Sequence, residues 1–321
     1  MLDLERTLES HFPALFRGPR RRVARPLSRG LERWMGIDVA NEVLRRYGHL
    51  RGLSFVEAAL RYFNCRYTVD DIEREHIPTS GRVIVASNHP LGGLDSLLLL
   101  KLVGDLRPDV RILANDILLQ IEPMQNLLLP VRVLGGKTTP ASCKRILTEL
   151  EADRAVIVFP AGEVSRLRPG GIRDRRWESG FLRFAAHTGA PIVPLHIKAR
   201  NSPLFYTATT LAPPLGTLML PREMFLRRGE TRAAVRIDAP VCAPDRQAGK
   251  ALARRARALR KQVYGLARKN QRDNDIRALP RAEDPRRLLA ELDRSERIGA
   301  TRDGKAIVLA RLDTDSALLR E

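Results

Sequence analysis

Short runs of β-branched and small apolar residues, spaced along the middle of the chain, constrain the fold more than any other feature. They occupy residues 82–87, 110–114, 155–159, 191–197 and 233–237. Runs of this length are typical of buried strands. Segments with helical patterns, such as PASCKRILTELEADR and WESGFLRFAAHTG, lie between them. This alternation predicts an α/β fold with a mostly parallel central sheet flanked by helices.

The first of these runs ends in a tight corner that carries a histidine, within VIVASNHPLGGLDSLLLLKL. Pro90 disfavours a helical conformation for His89, and a helix can begin near Asp95. Two glycines between them, Gly92 and Gly93, allow backbone angles that are closed to other residues. The stretch therefore predicts a strand, a turn and a helix, with an imidazole at the carboxyl end of the strand, where open α/β sheets usually bind ligands.

His89 at this corner is a candidate general base because the pKa of an unperturbed imidazole lies near neutrality. Asp95 is the nearest group that could fix its tautomer. Six positions on a regular helix would leave the two side chains about 240° apart, so the turn must fold back for the pair to form. The alternatives are that Asp95 only caps the following helix and that His89 bonds to the backbone of a turn.

A second strand ends in a similar corner, AVIVFPAGEVSRLRPGG, in which a Pro-Gly turn precedes Glu163, Ser165 and Arg166. Parallel strands bring both corners to one edge of the sheet. An arginine there can pair with a phosphate or a carboxylate through two hydrogen bonds. Between the corners, LLLPVRVLGGK places Arg132 in an apolar run, where a cation is unusual in a core. A solvated loop or strand-edge position is the alternative for both arginines.

The charge of the chain narrows the choice of partners. Lys and Arg number 56 against 37 acids, which gives a net charge of +19 and predicts an anionic partner. An acidic membrane surface, a phosphorylated ligand and a nucleic acid all qualify. An aromatic content of 5% and the lack of a recognition motif argue against nucleic acid. Three widely spaced cysteines predict neither a disulfide framework nor a metal cluster, and they fit a reducing compartment.

Two basic segments indicate how the chain would meet an anionic surface. Residues 1–70 look helical, with arginines interleaved among large apolar residues, as an interfacial membrane anchor requires. A solvated helix with a core-facing stripe is the alternative. Residues 250–272 hold nine basic residues and no acid, and they predict an amphipathic basic helix. One face of that helix would carry Leu252, Leu259, Val263 and Leu266.

No run is long and apolar enough to predict a membrane-spanning helix, so we expect any membrane association to be at the surface. The pattern as a whole predicts a basic helical membrane-docking region at residues 1–70 and a catalytic domain at residues 71–275. Residues 276–321 are expected to form a charged tail or connector.

Four blocks, taken in order, resemble the glycerolipid (lysophospholipid) acyltransferase superfamily, which includes the 1-acylglycerol-3-phosphate acyltransferases. They are NHP with Asp95, PVR at 130–132, FPAGEVSR at 159–166 and APIVPLHI at 190–197. The forms NHPLGGLD and FPAGEVSR are similar to a bacterial hemolysin-like branch that is related to ornithine-lipid acyltransferases. Two departures stand out. Five residues instead of the usual four separate the histidine from the aspartate, and Ala161 stands where family members often carry Glu.

The resemblance implies an O-acyltransferase that takes a fatty acyl group from acyl-CoA or an acidic acyl-carrier protein and needs no cofactor. His89 would remove the proton from a hydroxyl of a lysolipid, and Asp95 would orient the imidazole. The fourth block would form a wall of the acyl pocket, and residues 97–100 and 201–221 are candidates for the same wall. The favoured alternative for most of these residues is ordinary core. The implied substrate-binding residues are Asn88, Gly92, Gly93, Arg132, Gly162, Glu163, Ser165 and Arg166, of which the arginines would hold an anionic head group.

The implied location is the cytoplasmic face of the bacterial inner membrane, where the protein would bind peripherally to anionic lipid. One alternative is a catalytically silent lipid-binding or adaptor protein, in which the longer spacing has broken the histidine–aspartate pair. A nucleic-acid-binding protein is the less favoured alternative, and no nucleic-acid partner is expected.

Overall fold

The computed structural model describes residues 2, 5, 9, 21–131, 139–212, 215–227, 229–245 and 249–267 of the 321-residue chain. The strands are β1 (Cys65–Val69), β2 (Val83–Ser87), β3 (Val110–Asn115), β4 (Leu128–Val131), β5 (Ala155–Val158), β6 (Arg166–Arg168), β7 (Gly171–Arg173), β8 (Ile192–Lys198) and β9 (Thr231–Ile237).

Helices precede, separate and follow the strands. They are α1 (Arg21–Met35), α2 (Ile37–Tyr47), α3 (Leu53–Tyr62), α4 (Asp71–Arg74), α5 (Gly93–Gly104), α6 (Pro140–Glu151), α7 (Gly180–Thr188), α8 (Pro203–Leu211), α9 (Leu215–Phe225) and α10 (Gly249–Leu266). Two 3-10 helices, Asp116–Gln120 and Glu122–Leu127, connect β3 to β4.

One sheet holds seven of the strands in the order β1-β9-β8-β2-β5-β3-β4, and β6 and β7 form a separate hairpin. Neighbours in the sheet are parallel except β8 and β9. The predicted α/β fold with a mostly parallel central sheet is therefore confirmed. The predicted strands match β2, β3, β5, β8 and β9 to within two residues at either end.

Each face of the sheet has its own apolar core, because successive side chains of a strand point to opposite faces. In β2, Val83 and Val85 pack into the core that α3 and α5 complete. Ile84 and Ala86 pack into the opposite core, with α6, α7 and α10. Both faces are covered, which explains why the central strands are continuous apolar runs.

A third, smaller apolar cluster lies outside these two cores. It joins Val164 and Ile172 of the hairpin region to Phe205 of α8 and Met219 of α9. We call β6, β7, α8 and α9 the covering subdomain. Its side chains approach the corner that follows β2, as described below.

The helical prediction for residues 1–70 is wrong at its carboxyl end. Cys65–Val69 is strand β1, which pairs in parallel with β9 and alternates between buried and half-buried residues. This segment therefore completes the sheet of the predicted catalytic domain. Met1–Leu279 forms one structural unit, and the membrane-docking role of residues 1–70 stays a prediction. The predicted tail, residues 276–321, lies outside the described residues.

The helix predicted at residues 250–272 is present over Gly249–Leu266 as α10, and its apolar face is internal. Residues 268–272 lie outside the described residues. Leu252, Leu259, Val263 and Leu266 are buried, and α10 packs on β8 and α7. This face is therefore not available to a lipid surface, so only the basic face of α10 is left for an anionic partner.

Residues 97–100 and the fourth block lie in the cores of the sheet, as the ordinary-core alternative predicts. The leucines at 97–100 are buried in the core between α5 and the sheet. The apolar residues of β8 fill the cores on both faces of the sheet. These segments are ordinary core, because a central strand and the helix behind it are covered on every side.

Candidate active site

The predicted histidine–aspartate pair forms at the carboxyl end of β2. Nδ1 of His89 lies 3.1 Å from Oδ2 of Asp95. The same Oδ2 accepts the backbone N–H groups of Leu91 at 2.6 Å and Gly92 at 3.1 Å. The Asp95 side chain is 0% exposed and that of His89 16%. The five-residue spacing therefore does not prevent the contact.

The turn folds back because Gly92 adopts a left-handed backbone conformation, with φ at +86°, which costs glycine little. Helix α5 begins at Gly93, so Asp95 is its third residue and not the residue that caps it. The carboxylate reaches back to the N–H of Gly92, and the N–H of Asp95 donates to the carbonyl of Gly92 at 3.1 Å. This reciprocal arrangement resembles a capping box. Asp95 thus stabilises the start of the helix and holds His89 at the same time.

Burial dominates the electrostatics of the pair and raises the pKa of Asp95 above its ordinary value. The hydrogen bond with His89 and the two backbone N–H groups oppose that rise. A carboxylate at this place keeps the proton of a neutral imidazole on Nδ1. Nε2 of His89 makes no hydrogen bond with any residue that the structure describes. Its lone pair is therefore free to accept a proton, as a general base requires.

The two sequence-predicted corners meet at His89. The N–H of Ser165 donates to the carbonyl of His89 at 2.8 Å. The ring of Phe159 stacks on the imidazole, with centroids 3.8 Å apart and an interplanar angle of 19°. The prediction that parallel strands bring these loops together is confirmed, and the second corner holds the imidazole in place.

A fully buried carboxylate, Asp174, joins the two corners, and the sequence analysis missed it. Oδ1 of Asp174 accepts the N–H of His89 at 3.3 Å and the hydroxyl of Ser165 at 2.5 Å. Oδ2 accepts Nε1–H of Trp177 at 2.8 Å. The only signal in the sequence was a single acid within IRDRRW. Its three partners, His89, Ser165 and Trp177, form no recognisable spacing pattern with it. The spacing in the sequence therefore did not predict these contacts.

Helix α10 reaches this site through the backbone of Asp174. The hydroxyl of Tyr264 accepts the N–H of Asp174 at 2.6 Å, and the guanidinium of Arg260 donates to its carbonyl at 2.6 Å. Burial and the nearby Asp174 carboxylate raise the pKa of Tyr264 to about 12. The carboxyl-terminal half of α10 is thereby tied to the loop that holds His89.

The acidic residue of the second corner pairs with arginines of the hairpin. Oε1 of Glu163 lies 2.7 Å from Nη2 of Arg168, and Oε2 lies 3.5 Å from Nη2 of Arg166. Arg173 of β7 is directly opposite Arg166 in the hairpin register. This hairpin thus carries three guanidinium groups, two of which lie near Glu163. Head-group binding by Arg166 and Glu163 stays a prediction.

Of the other predicted substrate-binding residues, Asn88, Gly162 and Arg132, the first two lie in different environments. Asn88 is buried, and its amide donates to the carbonyl of Ile197 at 2.9 Å and accepts its N–H at 2.7 Å. This amide therefore joins β2 to β8. Gly162 is exposed and has a φ of +66°, which the turn after β5 requires. Arg132 lies outside the described residues.

Gly92 and Gly93 lie directly under the covering subdomain. A Cβ atom on Gly92 would come within 3.1 Å of Cδ2 of Leu220, and one on Gly93 within 2.5 Å of Sδ of Met224. Both neighbours belong to α9. The glycines therefore let α9 approach the His89 corner, and their predicted contact with substrate stays a prediction.

A family model described as Acyltransferase matches residues 13–274. The chain belongs to the acyltransferase family. The resemblance carried by the four sequence blocks is thereby confirmed, and with it the prediction of an acyltransferase enzyme. In the described part of this acyltransferase, no helix combines the length and the apolar character that crossing a membrane requires.

Two curated relatives of this acyltransferase are lyso-glycine lipid O-acyltransferases. The protein from Phocaeicola vulgatus is 30% identical over 201 residues, which cover 60% of this chain and 71% of the relative. The protein from Bacteroides thetaiotaomicron is 31% identical over 201 residues, which cover 60% and 73%. Among solved structures, the 1-acyl-sn-glycerophosphate (LPA) acyltransferase PlsC from Thermotoga maritima is similar over 73% of this chain and 90% of that one. Its identity is 19% and the TM-score is 0.43.

Proposed function

We propose that this acyltransferase moves a fatty acyl group from a thioester donor to a hydroxyl of a lysolipid, with His89 as the general base. The observation that carries the proposal is the contact between His89 and the buried Asp95 at the carboxyl end of β2. Ligands of open α/β sheets bind at this edge. The names of the two curated relatives support a lysolipid as the acceptor.

The proposed reaction needs one proton carrier. Nε2 of His89 takes the proton of the acceptor hydroxyl while the hydroxyl oxygen attacks the carbonyl carbon of the thioester. The tetrahedral intermediate then collapses, the carbon–sulfur bond breaks, and the imidazolium returns the proton to the departing thiolate. Asp95 stabilises the imidazolium between these steps. Because a thioester is already activated, the reaction needs neither a covalent acyl-enzyme nor a cofactor.

The arginines of the hairpin support an acceptor with an anionic head group. Arg166, Arg168 and Arg173 lie on adjacent strands, and Glu163 lies near the first two of them. Guanidinium groups bind carboxylates and phosphates through paired hydrogen bonds. We propose that the acceptor is a lysolipid with either an amino-acid or a phosphate head group. Comparing turnover with the two kinds of lysolipid identifies which of them is the acceptor.

Exposed side chains of α1 support peripheral binding to anionic lipid. Val23 is 69% exposed and Leu27 is 70% exposed, while Arg22 and Arg29 beside them are also exposed. Apolar groups that enter the interface and cations that meet lipid phosphates are the two requirements for such binding. We propose that this surface docks on the cytoplasmic face of the bacterial inner membrane.

The test is an acyl-transfer assay with purified protein, labelled acyl-carrier-protein and acyl-CoA donors, and a panel of lysolipids, with mass spectrometry of the product. We expect an acylated product from the wild type and none above background from His89→Ala. The variant His49→Ala is a matched control because His49 is exposed on a surface loop. Equal turnover in His89→Ala and His49→Ala would remove His89 as the base.

The same assay separates the enzyme from a catalytically silent lipid-binding protein. Such a protein would bind vesicles of anionic lipid and give no product with any donor. The short His89–Asp95 distance argues against it, because the pair that the longer spacing was expected to break is present.

A further inference from the structure

The outer face of α10 carries a stripe of exposed cations. Lys250, Arg254, Arg257 and Lys261 are exposed and follow one another at intervals of four, three and four residues, which places them on one side of a helix. The helix contains no acidic residue. None of the four makes an ion pair or a side-chain hydrogen bond with a residue in the described ranges. We call these residues the basic stripe.

The rest of α10 is fixed to the molecule, so the basic stripe has a defined direction. The opposite side of the helix, at Leu252, Ala256, Leu259 and Val263, is buried against the sheet. The two remaining arginines of the helix are engaged. Arg255 donates to the carbonyl of Cys242 at 2.9 Å, as Arg260 does to that of Asp174. The stripe therefore faces solvent, because the opposite side of α10 is packed against the sheet.

A further cation on α7 lies next to the start of α10, and another lies in the loop before α7. The guanidinium of Arg183 is 3.9 Å from the position of a Cβ atom on Gly249, at the start of α10. Arg176 is exposed, as is Arg183. In the described part of the chain, neither has an ion pair. The patch is thus wider than one helix.

The basic stripe ends beside the candidate active site. Its last member, Lys261, follows Arg260, which binds the backbone of Asp174. Asp174 in turn accepts the N–H of His89. A partner that lies along the stripe would therefore have one end near the loop that holds the proposed base.

The chemistry of the stripe favours an acidic protein over a lipid surface. The large apolar residues that are strongly exposed in the described ranges lie on α1, α4, β6 and α8, and none lies on α7 or α10. Interfacial lipid binding uses apolar groups together with cations, and the apolar face of α10 is buried. A surface of cations alone is complementary to a surface of carboxylates.

We propose that the basic stripe docks an acidic acyl-carrier protein and so presents its thioester to His89. The proposal rests on the thioester donor of the proposed function and names the surface that receives it. It assigns the carrier to α10, whereas lipid is assigned to α1. The two surfaces can therefore be disabled separately.

The test variant reverses all four charges: Lys250→Glu, Arg254→Glu, Arg257→Glu and Lys261→Glu. Exposed charge pairs each contribute little, but four reversals together are expected to raise the KM for acyl-carrier protein at least about tenfold. The KM for acyl-CoA, the kcat and the retention by anionic vesicles should stay unchanged. Circular dichroism checks that the variant folds, which we expect because all four side chains are exposed.

The matched control reverses three exposed arginines of α1: Arg22→Glu, Arg29→Glu and Arg33→Glu. This variant should lose retention by anionic vesicles and keep the wild-type KM for acyl-carrier protein. If the stripe variant loses vesicle retention and keeps its KM for the carrier, the stripe is a lipid surface and the proposal is wrong. An equal rise of the KM for both donors would also overturn it.

A binding experiment separates this proposal from the proposed function. Fluorescence anisotropy of labelled acyl-carrier protein measures docking without turnover. Binding by the wild type that weakens at least about tenfold in the stripe variant supports the docking surface, even if no acyl group is transferred. If the wild type does not bind the carrier, the docking surface is refuted, although transfer from acyl-CoA would still support the proposed function.

Discussion

At the scale of single residues, His89 is held from several directions at once. Asp95 binds its Nδ1, Phe159 stacks on its ring, Ser165 donates to its carbonyl, and Asp174 accepts its N–H. Positioning of this kind matters because a proton-transfer group that is misplaced by about 1 Å can lose two orders of magnitude in rate. The precision of the site therefore depends on several residues besides the proposed base.

Removing the carboxylate of Asp174 should damage both stability and turnover. In Asp174→Ala, the buried donors of Ser165 and Trp177 lose their acceptor, and each such loss costs about 1–3 kcal/mol. We expect the free energy of unfolding, measured in urea, to fall by about 2 kcal/mol or more and kcat to fall with it. Glu178→Ala is the control, because Glu178 is exposed and its ion pair in the described part of the chain is with the exposed Arg175. Wild-type stability in Asp174→Ala would show that the network is unimportant.

Another residue, His196 of β8, should make stability depend on pH. Burial, and then the charge of Lys198, lowers the pKa of His196 from 6.5 to about 4. Between these values the unfolded chain binds more protons than the folded one, so stability falls as the pH drops from 6.5 towards 4. The contribution is on the order of 3 kcal/mol.

The variant His196→Phe keeps a ring against Tyr264 and removes the titration. Its free energy of unfolding should therefore change less than that of the wild type between pH 6.5 and pH 4. Urea unfolding at a series of pH values measures the difference. Parallel curves for the two proteins would contradict the assignment.

At the scale of elements, the sequence predicts strands where burial on both faces leaves an unbroken apolar run. Edge strands were missed for physical reasons. β1 alternates between buried and half-buried residues, and it includes Arg66. β4 contains Pro130, and it lies at the other edge of the sheet, where a missing N–H is tolerated. The alternating pattern of β1 and the proline of β4 therefore reflect the positions of these strands at the edges of the sheet.

The same reasoning explains which parts of the site could be predicted. His89 and Ser165 follow neighbouring strands, and parallel topology alone brings such corners together. Asp174 lies after the hairpin, and its contacts reach Trp177, Tyr264 and both corners. No periodicity connects those positions in the sequence, so only the packed structure brings them together.

The turn between β2 and α5 should tolerate no side chain at Gly92. In Gly92→Ala, a φ of +86° costs about 1–2 kcal/mol, and the new Cβ meets Leu220. Gly81→Ala is the matched control, because Gly81 has a φ of +74° and open space around it. Both variants should lose stability, but only Gly92→Ala should lose kcat, because only this turn places Asp95 against His89. Equal kcat values for the two variants would contradict this role of the turn.

At the scale of the whole molecule, the chain has a net charge of +19, and its described basic surfaces differ in how many apolar residues they expose. The basic stripe of α10 is free of exposed large apolar residues, whereas cations and exposed apolar residues occur together on α1. These two kinds of surface suit two anionic partners of different chemistry. An enzyme that joins a carrier-bound acyl group to a membrane lipid would need both.

Apolar residues of α1 should therefore govern binding to lipid. In the double variant Val23→Ser and Leu27→Ser, we expect retention by anionic vesicles to fall at least about tenfold, because each buried aliphatic side chain contributes about 1.5–3 kcal/mol. Turnover of a short-chain lysolipid dispersed in water should stay unchanged. Ile72→Ser is the matched control, because Ile72 is 66% exposed on α4. If the double variant retains anionic vesicles as well as the wild type does, lipid binding does not depend on α1, and the membrane surface must be sought elsewhere on the molecule.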